Sequence, residues 1–481
     1  MKIIFVHRGR ENLAIEYLSA ILKKAGHSVS LAYDHGLFST EDNLFYIPVL
    51  EKIFSQKNGV LKAIEKSNPD VVAFSVYTGT YGWCCDVAKE VKEKFKLPII
   101  FGGIHPTLVP EVCLSNDFVD YVVVGEGEEA ILEFADGLPP EKIKNLCYKK
   151  NGRIMKNVLR PLYDLEKLPL PDKNIFEKDV IMKDDYMLMA SRGCIFNCNY
   201  CCESFNNKLY GKYYRRRRVE SIISELVIMK NRYDFREVMF YDSLFFTDKI
   251  WLKELLQKYK KEISVPFRCF GKTDFVTEEL AEILKDGGCY CIEFGMQTLN
   301  ENIKKNVLGR YELNEKAKNA FLICDKYGLR YDIDHMFGLP GETEKDHIEG
   351  ARFYSQFKYL NRIKTFNLTC FPNIKISDYL SDEEKKNIEN GITCDFFHTS
   401  TIKDKSLGES AEIFKKIYKI IPIIPAIFLE TVLKYRKIFK FVPLVVIMFL
   451  QILAAIKGKD KRFFIYFKYY PLRIKRAVIF K

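Results

Sequence analysis

Short apolar runs alternate with amphipathic stretches along most of this chain, and that alternation restricts the folds open to it. Five apolar runs in the first third predict buried parallel strands: Ile3–His7, Val29–Tyr33, Val71–Tyr77, Pro98–Phe101 and Tyr121–Val124. Stretches such as Asn12–Ala25 and Gly82–Phe95 predict the helices that cross between them. The pattern predicts a doubly wound α/β domain over 1–145, with ligands bound beyond the carboxyl ends of its strands.

The same alternation returns after a proline-containing stretch, which predicts a linker over 146–180. The second set of strand-like runs is Tyr186–Ala190, Glu237–Tyr241, Phe267–Phe270, Cys291–Gly295, Arg330–Met336 and Thr365–Thr369. Together with the helical stretches between them they predict six βα units over 181–380, with a site at the carboxyl ends of the strands. Residues 381–481 are predicted to be a helical C-terminal region.

Three cysteines follow the first of these later strands. Cys194, Cys198 and Cys201 form a C-x3-C-x2-C run. Three thiolates in one short loop can hold three irons of a [4Fe–4S] cluster and leave the fourth iron open to a small molecule. The alternative is a structural zinc knuckle, but zinc usually takes four ligands and no matching Cys or His pair is found elsewhere.

This run, with Tyr200 just before its last cysteine, resembles the cluster loop of the radical S-adenosylmethionine (SAM) enzymes. Three later segments resemble that family as well: Phe240–Phe245, Gly288–Thr298 and the G-L-P-G-E-T turn Gly338–Thr343. The resemblance implies a partial (β/α)6 barrel of the TIM type that binds a [4Fe–4S] cluster and SAM. It also implies that the SAM-binding residues include Tyr200, Asp242, Glu293 and Gln297. Asp242 could instead cap the helix that follows it.

Small residues follow the strands of the first domain, in the segments Ser75–Gly79, Gly102–Thr107 and Gly125–Glu128. Together they resemble the cobalamin-binding domain that precedes the barrel in many radical SAM enzymes. The alternative is that they are only tight turns of an α/β sheet. The resemblance implies cofactor contacts from Tyr77, Thr78, Gly102, Gly103, His105, Gly125 and Glu126. The D-x-H-x-x-G motif that supplies a histidine to cobalt is absent, so we expect cobalamin to bind without a histidine ligand; His105 is then a structural residue or touches the edge of the corrin.

The positive charge of the chain is confined to its last part. Residues 411–481 hold 16 Lys and Arg against 3 Asp and Glu, a balance of +13, while the whole chain carries +12. The first 410 residues therefore come to −1 and lack the basic groove expected of a nucleic-acid-binding protein. Within the basic part, Phe441–Ile456 is apolar apart from Gln451, but it is shorter than the roughly 20 residues of a spanning helix. A helical cap on the barrel and a helix lying on an anionic membrane both remain open.

The resemblance implies an enzyme that reductively cleaves SAM to a 5′-deoxyadenosyl radical, and we expect C-methylation of a hydrophobic or lipid-like substrate. Ring formation or carbon–carbon coupling is the alternative within this class, and a non-catalytic cobalamin or Fe–S sensing protein is the alternative outside it. An electron donor such as flavodoxin or ferredoxin is implied as partner. Fourteen scattered cysteines and the lack of a signal peptide predict a cytoplasmic protein, with the C-terminal region a candidate for peripheral contact with the inner face of the membrane.

Overall fold

A computed structural model of the chain describes residues 1–39, 47–392 and 405–479. Most of the described residues belong to two sheet-based domains, and helices of the C-terminal region pack against them. The region predicted over 381–481 is described except for 393–404 and 480–481, which lie outside the described residues.

The first sheet has seven strands in the order β2-β1-β3-β4-β5-β6-β7. Their bounds are β1 Lys2–Arg8, β2 Ser28–Asp34, β3 Val71–Ser75, β4 Ile99–Gly102, β5 Tyr121–Val123, β6 Leu146–Lys150 and β7 Arg153–Lys156. The first five are parallel. Because β1 and β3 are neighbours while β2 lies on the far side of β1, the strand order reverses between them, and ligands of such sheets bind at that point.

Within residues 1–39 and 47–145, seven helices accompany this sheet, and the predicted doubly wound fold is confirmed for the first domain. They are α1 Leu13–Lys24, α2 Pro48–Phe54, α3 Lys57–Ser67, α4 Tyr81–Phe95, α5 Ile104–Leu108, α6 Pro110–Ser115 and α7 Glu128–Ala135. Two apolar cores lie on its opposite faces. One contains Ile4 with residues of α3 and α4, and the other contains Phe5 with residues of α1 and α7. Neighbouring strand residues point to opposite faces, so both sides of the sheet are covered.

The first sheet continues past residue 145, where the sequence predicts a linker. β6 pairs antiparallel with β5, and β7 pairs antiparallel with β6. The turn between β6 and β7 is Asn151-Gly152, and both residues have positive φ. Asn-Gly is a strong signal for a two-residue hairpin turn, because such turns need positive φ at both positions. The strand β7 is exposed along its length and has no apolar alternation, which hid the hairpin from a search for buried runs.

The second sheet has six parallel strands in the order β15-β14-β13-β12-β11-β8. Their bounds are β8 Tyr186–Leu188, β11 Val238–Phe240, β12 Phe267–Gly271, β13 Cys289–Gln297, β14 Arg330–Phe337 and β15 Leu360–Asn367. Between β8 and β11 the chain forms a short antiparallel ribbon of β9 Ser191–Arg192 and β10 Arg215–Arg216. Sequential neighbours around an open sheet form the partial barrel that the sequence predicts.

Helices lie between these strands, and the described residues of the tail form five more. Those of the barrel are α8 Cys202–Tyr210, α9 Val219–Tyr233, α10 Lys249–Glu262, α11 Glu278–Asp286, α12 Glu301–Asn306, α13 Asn314–Tyr327 and α14 Glu344–Tyr354. Those of the tail are α15 Asp382–Glu389, α16 Lys405–Ile420, α17 Ala426–Lys434, α18 Leu444–Gly458 and α19 Lys461–Ile479. Thr343, the last residue of the G-L-P-G-E-T turn, caps α14 through a reciprocal bond with Asp346.

The last strand begins five residues before the predicted Thr365–Thr369. β15 runs from Leu360 to Asn367, and Asn361, Arg362 and Lys364 within it are polar. These side chains bind acidic partners, and Asn361 and Arg362 both hold Asp332 of β14. A strand whose polar side chains pair with other residues of the protein lacks an apolar run, so a search for apolar runs assigns it to a loop.

Two of the tail helices, α16 and α18, cover the β15 side of the barrel. Phe414, Ile417 and Tyr418 of α16 are buried in the barrel core, and the Tyr418 hydroxyl donates to the His347 carbonyl oxygen of α14 at 2.8 Å. Across the described ranges, none of the helices combines the length and apolar character needed to cross a membrane. The helical cap is therefore one role of the tail, and it is carried by α16.

Candidate functional site

The three motif cysteines lie in the loop 194–201, here called the cluster loop, which follows β9 near the carboxyl end of β8. All three thiols are partly buried. The cluster loop is held by hydrogen bonds from outside it: the Asn207 side chain donates to the Cys194 carbonyl oxygen and to Asn197 Oδ1, both at 2.9 Å. The Asn199 amide donates to the Leu308 carbonyl oxygen, also at 2.9 Å. The loop therefore has a fixed backbone.

The cluster loop offers three thiols and no fourth ligand. Burial raises the pKa of Cys194, Cys198 and Cys201, the last to about 12, so binding to iron has to remove the protons. In the described ranges no three His, Cys, Asp or Glu side chains converge on the position of a single metal ion. A cubane cluster does not need that convergence, since each thiolate binds its own iron. The donor set and its position fit a [4Fe–4S] cluster.

Tyr200 belongs to a buried polar group beside the cluster loop. Arg310 Nη1 donates to the Tyr200 hydroxyl at 2.8 Å, Arg310 Nε donates to Glu312 at 2.6 Å, and Arg310 Nη2 donates to the Gly295 carbonyl oxygen at 2.6 Å. Lys272 pairs with Glu312 at 2.9 Å. Arg310 and Glu312 could not be predicted from the sequence, because an Arg-x-Glu triplet between two helices carries no signal of its own. Tyr200 is fixed here by Arg310, and its contact with SAM stays a prediction.

Asp242 braces the start of the cluster loop. It accepts hydrogen bonds from the Ser191 hydroxyl and, at 3.2 Å, from the Ala190 amide. Burial raises its pKa to about 6, against the hydrogen bond from Ser191. It does not cap the following helix, since the residue before α10 is Asp248, whose side chain accepts from the first amides of that helix. Asp242 thus links the end of β11 to β9, from which the loop departs.

Glu293 and Gln297, the other predicted SAM contacts, differ in how far they are free to bind a ligand. Glu293 forms ion pairs inside the barrel with Lys364 and, at 2.9 Å, with Arg268. Gln297 ends β13 with a φ of 65°, and its Oε1 is buried with no hydrogen-bond partner in the described structure. A strained residue with an unsatisfied buried acceptor suits a ligand that supplies a donor. Gln297 therefore fits a cofactor contact, whereas Glu293 would first have to leave its ion pairs.

A cavity of about 340 Å³, here called the first cavity, lies beyond the carboxyl ends of β3, β4 and β5. Its base is apolar and includes Phe5, Leu18 and Ile131, and its upper part includes four predicted cofactor residues: Gly102, Gly103, Gly125 and Glu126. The barrel forms its other side through residues 191–193, directly before Cys194. The first cavity therefore extends from the first sheet to the base of the cluster loop.

At two of these positions the conformation and close packing of the backbone require glycine. Gly103 has a φ of 105°, and a Cβ there would lie 2.6 Å from the Val76 carbonyl oxygen. Gly125 has a φ of 73°, and a Cβ there would overlap the Tyr210 hydroxyl. Gly102 differs, because a Cβ would meet nothing closer than 3.9 Å. Only at Gly102 does the missing side chain leave space for something else.

Three predicted contacts of the first domain are absent from the lining of the first cavity: Tyr77, Thr78 and His105. His105 is completely buried, its Nδ1 lies 3.1 Å from the Thr78 hydroxyl, and its ring packs on Tyr81 at 4.2 Å. Burial lowers its pKa to about 4. His105 therefore has a structural environment, and none of the described residues that line the cavity is a histidine.

Glu126 and Glu128 connect the first domain to the barrel. Arg192 Nη1 lies 3.1 Å from Glu126 and 2.7 Å from Glu128, and Arg215 also binds Glu126. Burial opposes the charge of Glu126, but the hydrogen bond from Arg215 and the charge of Arg192 hold its pKa below the usual value. These pairs stand at the edge of the first cavity and hold its two sides together.

Each of the four consecutive arginines at 215–218 forms an ion pair with a carboxylate. Arg216 pairs with Asp248, Arg217 with Glu225 and Arg218 with Glu166, while Arg215 binds Glu126. Arg215, Arg216 and Arg217 are mostly buried in these pairs, whereas Arg218 is 73% exposed. The run ties the start of α9 to its surroundings.

The first cavity fits part of a cobalamin. It is roomy, its base is apolar, and Gly102 leaves the strand end open, which lets a bulky ligand approach the backbone. Its lining has no histidine among the described residues, and binding of cobalamin without a histidine ligand stays a prediction. Gly102, Gly103, Gly125 and Glu126 line this cavity, and their contacts with cobalamin stay predictions.

Two family models match the chain. The model described as "B12 binding domain" matches residues 10–135, and the model described as "Radical SAM superfamily" matches residues 188–354. The first covers α1 to α7, and the second begins at the end of β8 and ends at α14. The two matches therefore coincide with the first cavity's sheet and with the barrel that carries the cluster loop.

Curated relatives are similar over both domains. An uncharacterized methyltransferase of Pyrococcus horikoshii is 26% identical over 390 residues, which cover 79% of this chain and 83% of the relative. Bacteriochlorophyllide d C-12(1)-methyltransferase of Chlorobaculum tepidum is 24% identical over 388 residues, which cover 77% of this chain and 81% of the relative.

Solved structures share the fold. The radical SAM methyltransferase TsrM from Kitasatospora setae, with cobalamin and a [4Fe–4S] cluster bound, matches with a TM-score of 0.62 at 15% identity, covering 80% of this chain and 78% of TsrM. The cobalamin-dependent SAM radical enzyme OxsB matches with a TM-score of 0.66 at 16% identity, covering 92% of this chain and 72% of OxsB. At these identities the likeness concerns the arrangement of the domains.

Proposed function

We propose that this chain, which belongs to the radical SAM enzymes that carry a B12-binding domain, transfers a methyl group to an unactivated carbon of a hydrophobic small molecule. One observation carries the proposal: the first cavity is bounded on one side by the strand ends of the B12-binding domain and on the other by Ser191, Arg192 and Gly193. Cobalamin bound there would stand beside the cluster loop. The two cofactors would then act on one substrate.

The bound cofactors supply reductive cleavage of SAM and a methyl-carrying cobalt, and the chain positions and shields them. Cys194, Cys198 and Cys201 would hold the cluster, and Gln297 would donate to or accept from SAM through its amide. Asp242 and Asn207 keep the cluster loop in place, and the pairs of Arg192 with Glu126 and Glu128 keep the two domains together. An external electron donor such as flavodoxin or ferredoxin would reduce the cluster.

Methyl transfer is favoured over ring formation or carbon–carbon coupling because relatives that cover both domains are named methyltransferases. A non-catalytic sensing protein is the alternative of another class. It would need the cluster or the cobalamin only as a ligand, and it gives no reason for a cavity that joins both sites.

The test uses the full chain, reconstituted with iron, sulfide and cobalamin without oxygen, and incubated with reductant, a lipid extract and SAM that carries a labelled methyl group. We expect 5′-deoxyadenosine together with label in the extract. Deoxyadenosine without label transfer would favour ring formation or coupling, and neither product would favour the sensing protein.

We further propose that the protein is cytoplasmic and that its tail lies on an anionic membrane, where a lipid-like substrate would be met. Large apolar side chains on α17 and around the start of α18 face solvent: Ile427 is 83% exposed, Phe441 79% and Leu444 64%. Lysines of the same segment, Lys434 and Lys437 among them, give it positive charge. Apolar residues edged by lysines suit a surface of anionic lipid headgroups.

Co-sedimentation with vesicles of phosphatidylglycerol and phosphatidylcholine tests this contact. The double variant Phe441→Ser and Leu444→Ser should lose most of the binding, whereas Ile250→Ser with Val158→Ser removes two equally exposed residues elsewhere and should not. Binding should weaken as salt rises, because exposed charges are screened beyond a Debye length of about 8 Å at physiological ionic strength. Equal loss in both double variants would speak against a docking surface in the tail.

A further inference from the structure

A second cavity, of about 390 Å³, lies beside the first and is walled by both domains and the tail. Three methionines of the barrel line it, Met187 and Met189 at β8 and Met239 of β11. Residues at the start of α1 line it from the first domain, and α19 closes it. Its volume lies within the roughly 300–1,000 Å³ of small-molecule sites. None of the residues predicted from the sequence belongs to it.

The helix α19 presents one face to this cavity. Ile465, Tyr469 and Arg473 line it, and they are spaced four residues apart, so they lie on one side of the helix. The Arg473 guanidinium lies over the Tyr469 ring, 5.2 Å from its centroid. Within the described part of the chain, Arg473 Nε is buried without a hydrogen-bond acceptor. The wall is thus apolar and aromatic with one unsatisfied donor.

Contacts with both domains fix α19 in this position. Lys468 pairs with Asp184 at 3.0 Å, and the Tyr469 hydroxyl bonds with the backbone of Ile181. On another face of the helix, Tyr470 and Ile474 pack with Phe38 and its neighbours in the first domain. A helix held on two sides makes a stable wall, not a loosely attached extension.

The two cavities are adjacent. Ala14 of α1 and Met189, just after β8, line both of them. A molecule in the second cavity would therefore lie next to whatever occupies the first. The flexible, polarisable methionine side chains adapt to irregular apolar surfaces.

We propose that the second cavity binds the apolar portion of an amphipathic substrate, with Arg473 directed at a polar group of that substrate and α19 as the element that sets its size. This proposal extends the proposed methyl transfer and rests on it, because the ligand of the second cavity is a substrate only if the protein transfers a methyl group to it. Charged side chains such as Arg10 and Asp185 also line the cavity, so the ligand has a polar as well as an apolar part.

The test is binding of radiolabelled decanol to the cofactor-loaded full chain by equilibrium dialysis, alongside the labelled-methyl assay. Ile465→Trp fills the cavity and should weaken decanol binding at least tenfold. Val478→Trp, on the same helix but 59% exposed, is the matched control and should bind decanol as the unchanged protein does. The Phe441→Ser and Leu444→Ser variant should also bind it, which separates the cavity from the exposed surface of the tail.

The outcomes separate the two proposals. If Ile465→Trp binds decanol normally with an intact fold by circular dichroism, or if the unchanged protein binds none, the assignment of the cavity is overturned. If only the Ile465→Trp variant loses decanol binding, the second cavity is supported as the binding site. That result would hold even if neither the unchanged protein nor any variant transferred the labelled methyl group, which would refute methyl transfer. Loss of label transfer in Ile465→Trp with normal release of 5′-deoxyadenosine would identify the ligand of the cavity as the substrate.

Discussion

The cluster loop and the first cavity lie side by side but offer a cofactor different things. The loop offers three thiols at fixed spacing, on a backbone tied by Asn207 and Asp242. The cavity offers room, an apolar base and a strand end without a side chain at Gly102. Binding through individual ligand atoms is lost when one atom is lost, whereas binding through shape declines in proportion to the space removed. The two sites should therefore respond differently to single substitutions.

The largest effect is expected at the cluster loop. Changing Cys194, Cys198 or Cys201 to Ala should abolish the cluster absorbance and the cleavage of SAM, because the loop has no fourth thiol in register. The matched control is Cys202→Ala, the adjacent cysteine, which should keep both. Iron and sulfide analysis with absorption spectroscopy measures the outcome. A triple Ala variant that still carries the cluster would show that the ligands lie elsewhere.

A smaller, graded effect is expected in the first cavity. Gly102→Val introduces bulk at a position where a Cβ meets nothing closer than 3.9 Å and φ is not positive, and it should weaken cobalamin binding about tenfold while the cluster is retained. Gly82→Val is the control, since nothing lies within 4 Å of a Cβ there either, but that position faces solvent. Titration with hydroxocobalamin measures the affinity. Equal affinity in both variants would place the cofactor outside this cavity.

The connection between the two regions can be broken at Arg192. Arg192→Met leaves Glu128 buried without its partner and should lower the free energy of unfolding by about 3 kcal/mol, the usual cost of breaking a buried pair. The exposed pair of Arg352 and Glu430 provides the control, since Arg352→Met should cost less than about 1 kcal/mol. Urea unfolding followed by fluorescence compares them. Equal costs would mean that the pairs between the domains contribute little.

Some residues of the cluster loop and of the first cavity could be predicted from the sequence, for different reasons. The cysteines were found because metal ligands must be particular residues at particular spacings. Gly102, Gly103 and Gly125 were found because small residues after strands stand out. Arg310, Glu312 and Met189 were not found, because a buried ion pair or an apolar wall is made by residues far apart in the chain. Asp242 was noticed, but its partner Ser191 could be identified only from the fold.

The strands of the fold also differed in how well the sequence predicted them. Buried strands such as β1 and β3 were predicted well, since both faces of a parallel strand are apolar. The hairpin of β6 and β7 was missed because β7 is exposed along its length. The first half of β15 was missed because its polar side chains are stabilised by pairing with another strand. Lys149 of β6 is paired in the same way, since its ammonium donates to the Asn116 carbonyl oxygen of another segment.

The smallest expected effect is a pH dependence that belongs to the loop and not to the cavity. The pKa of Asp242 is raised to about 6, so the folded state binds its proton more tightly than the unfolded state does. Stability from this group is therefore present below the unfolded pKa of about 4 and is lost as pH rises through 6, by about 2 to 3 kcal/mol in total. Asp242→Asn should remove this slope.

Urea midpoints of the unchanged protein and Asp242→Asn, measured between pH 4 and 7, test this expectation. The difference between the two proteins isolates Asp242 from other titrating groups. Parallel curves would mean that Asp242 is ionised in the folded protein, held so by Ser191 and the Ala190 amide.

The position of α19 has a consequence for the order in which the protein is assembled. Chains fold from the N-terminus as they are synthesised, so the first domain and the barrel can form before residues 461–479 exist. Until then the second cavity lacks one wall, and the first cavity, which shares Ala14 and Met189 with it, is more open to solvent. Newly made chains thus pass through a stage in which bulky cofactors have a wide entrance, and α19 narrows that entrance once it packs against both domains.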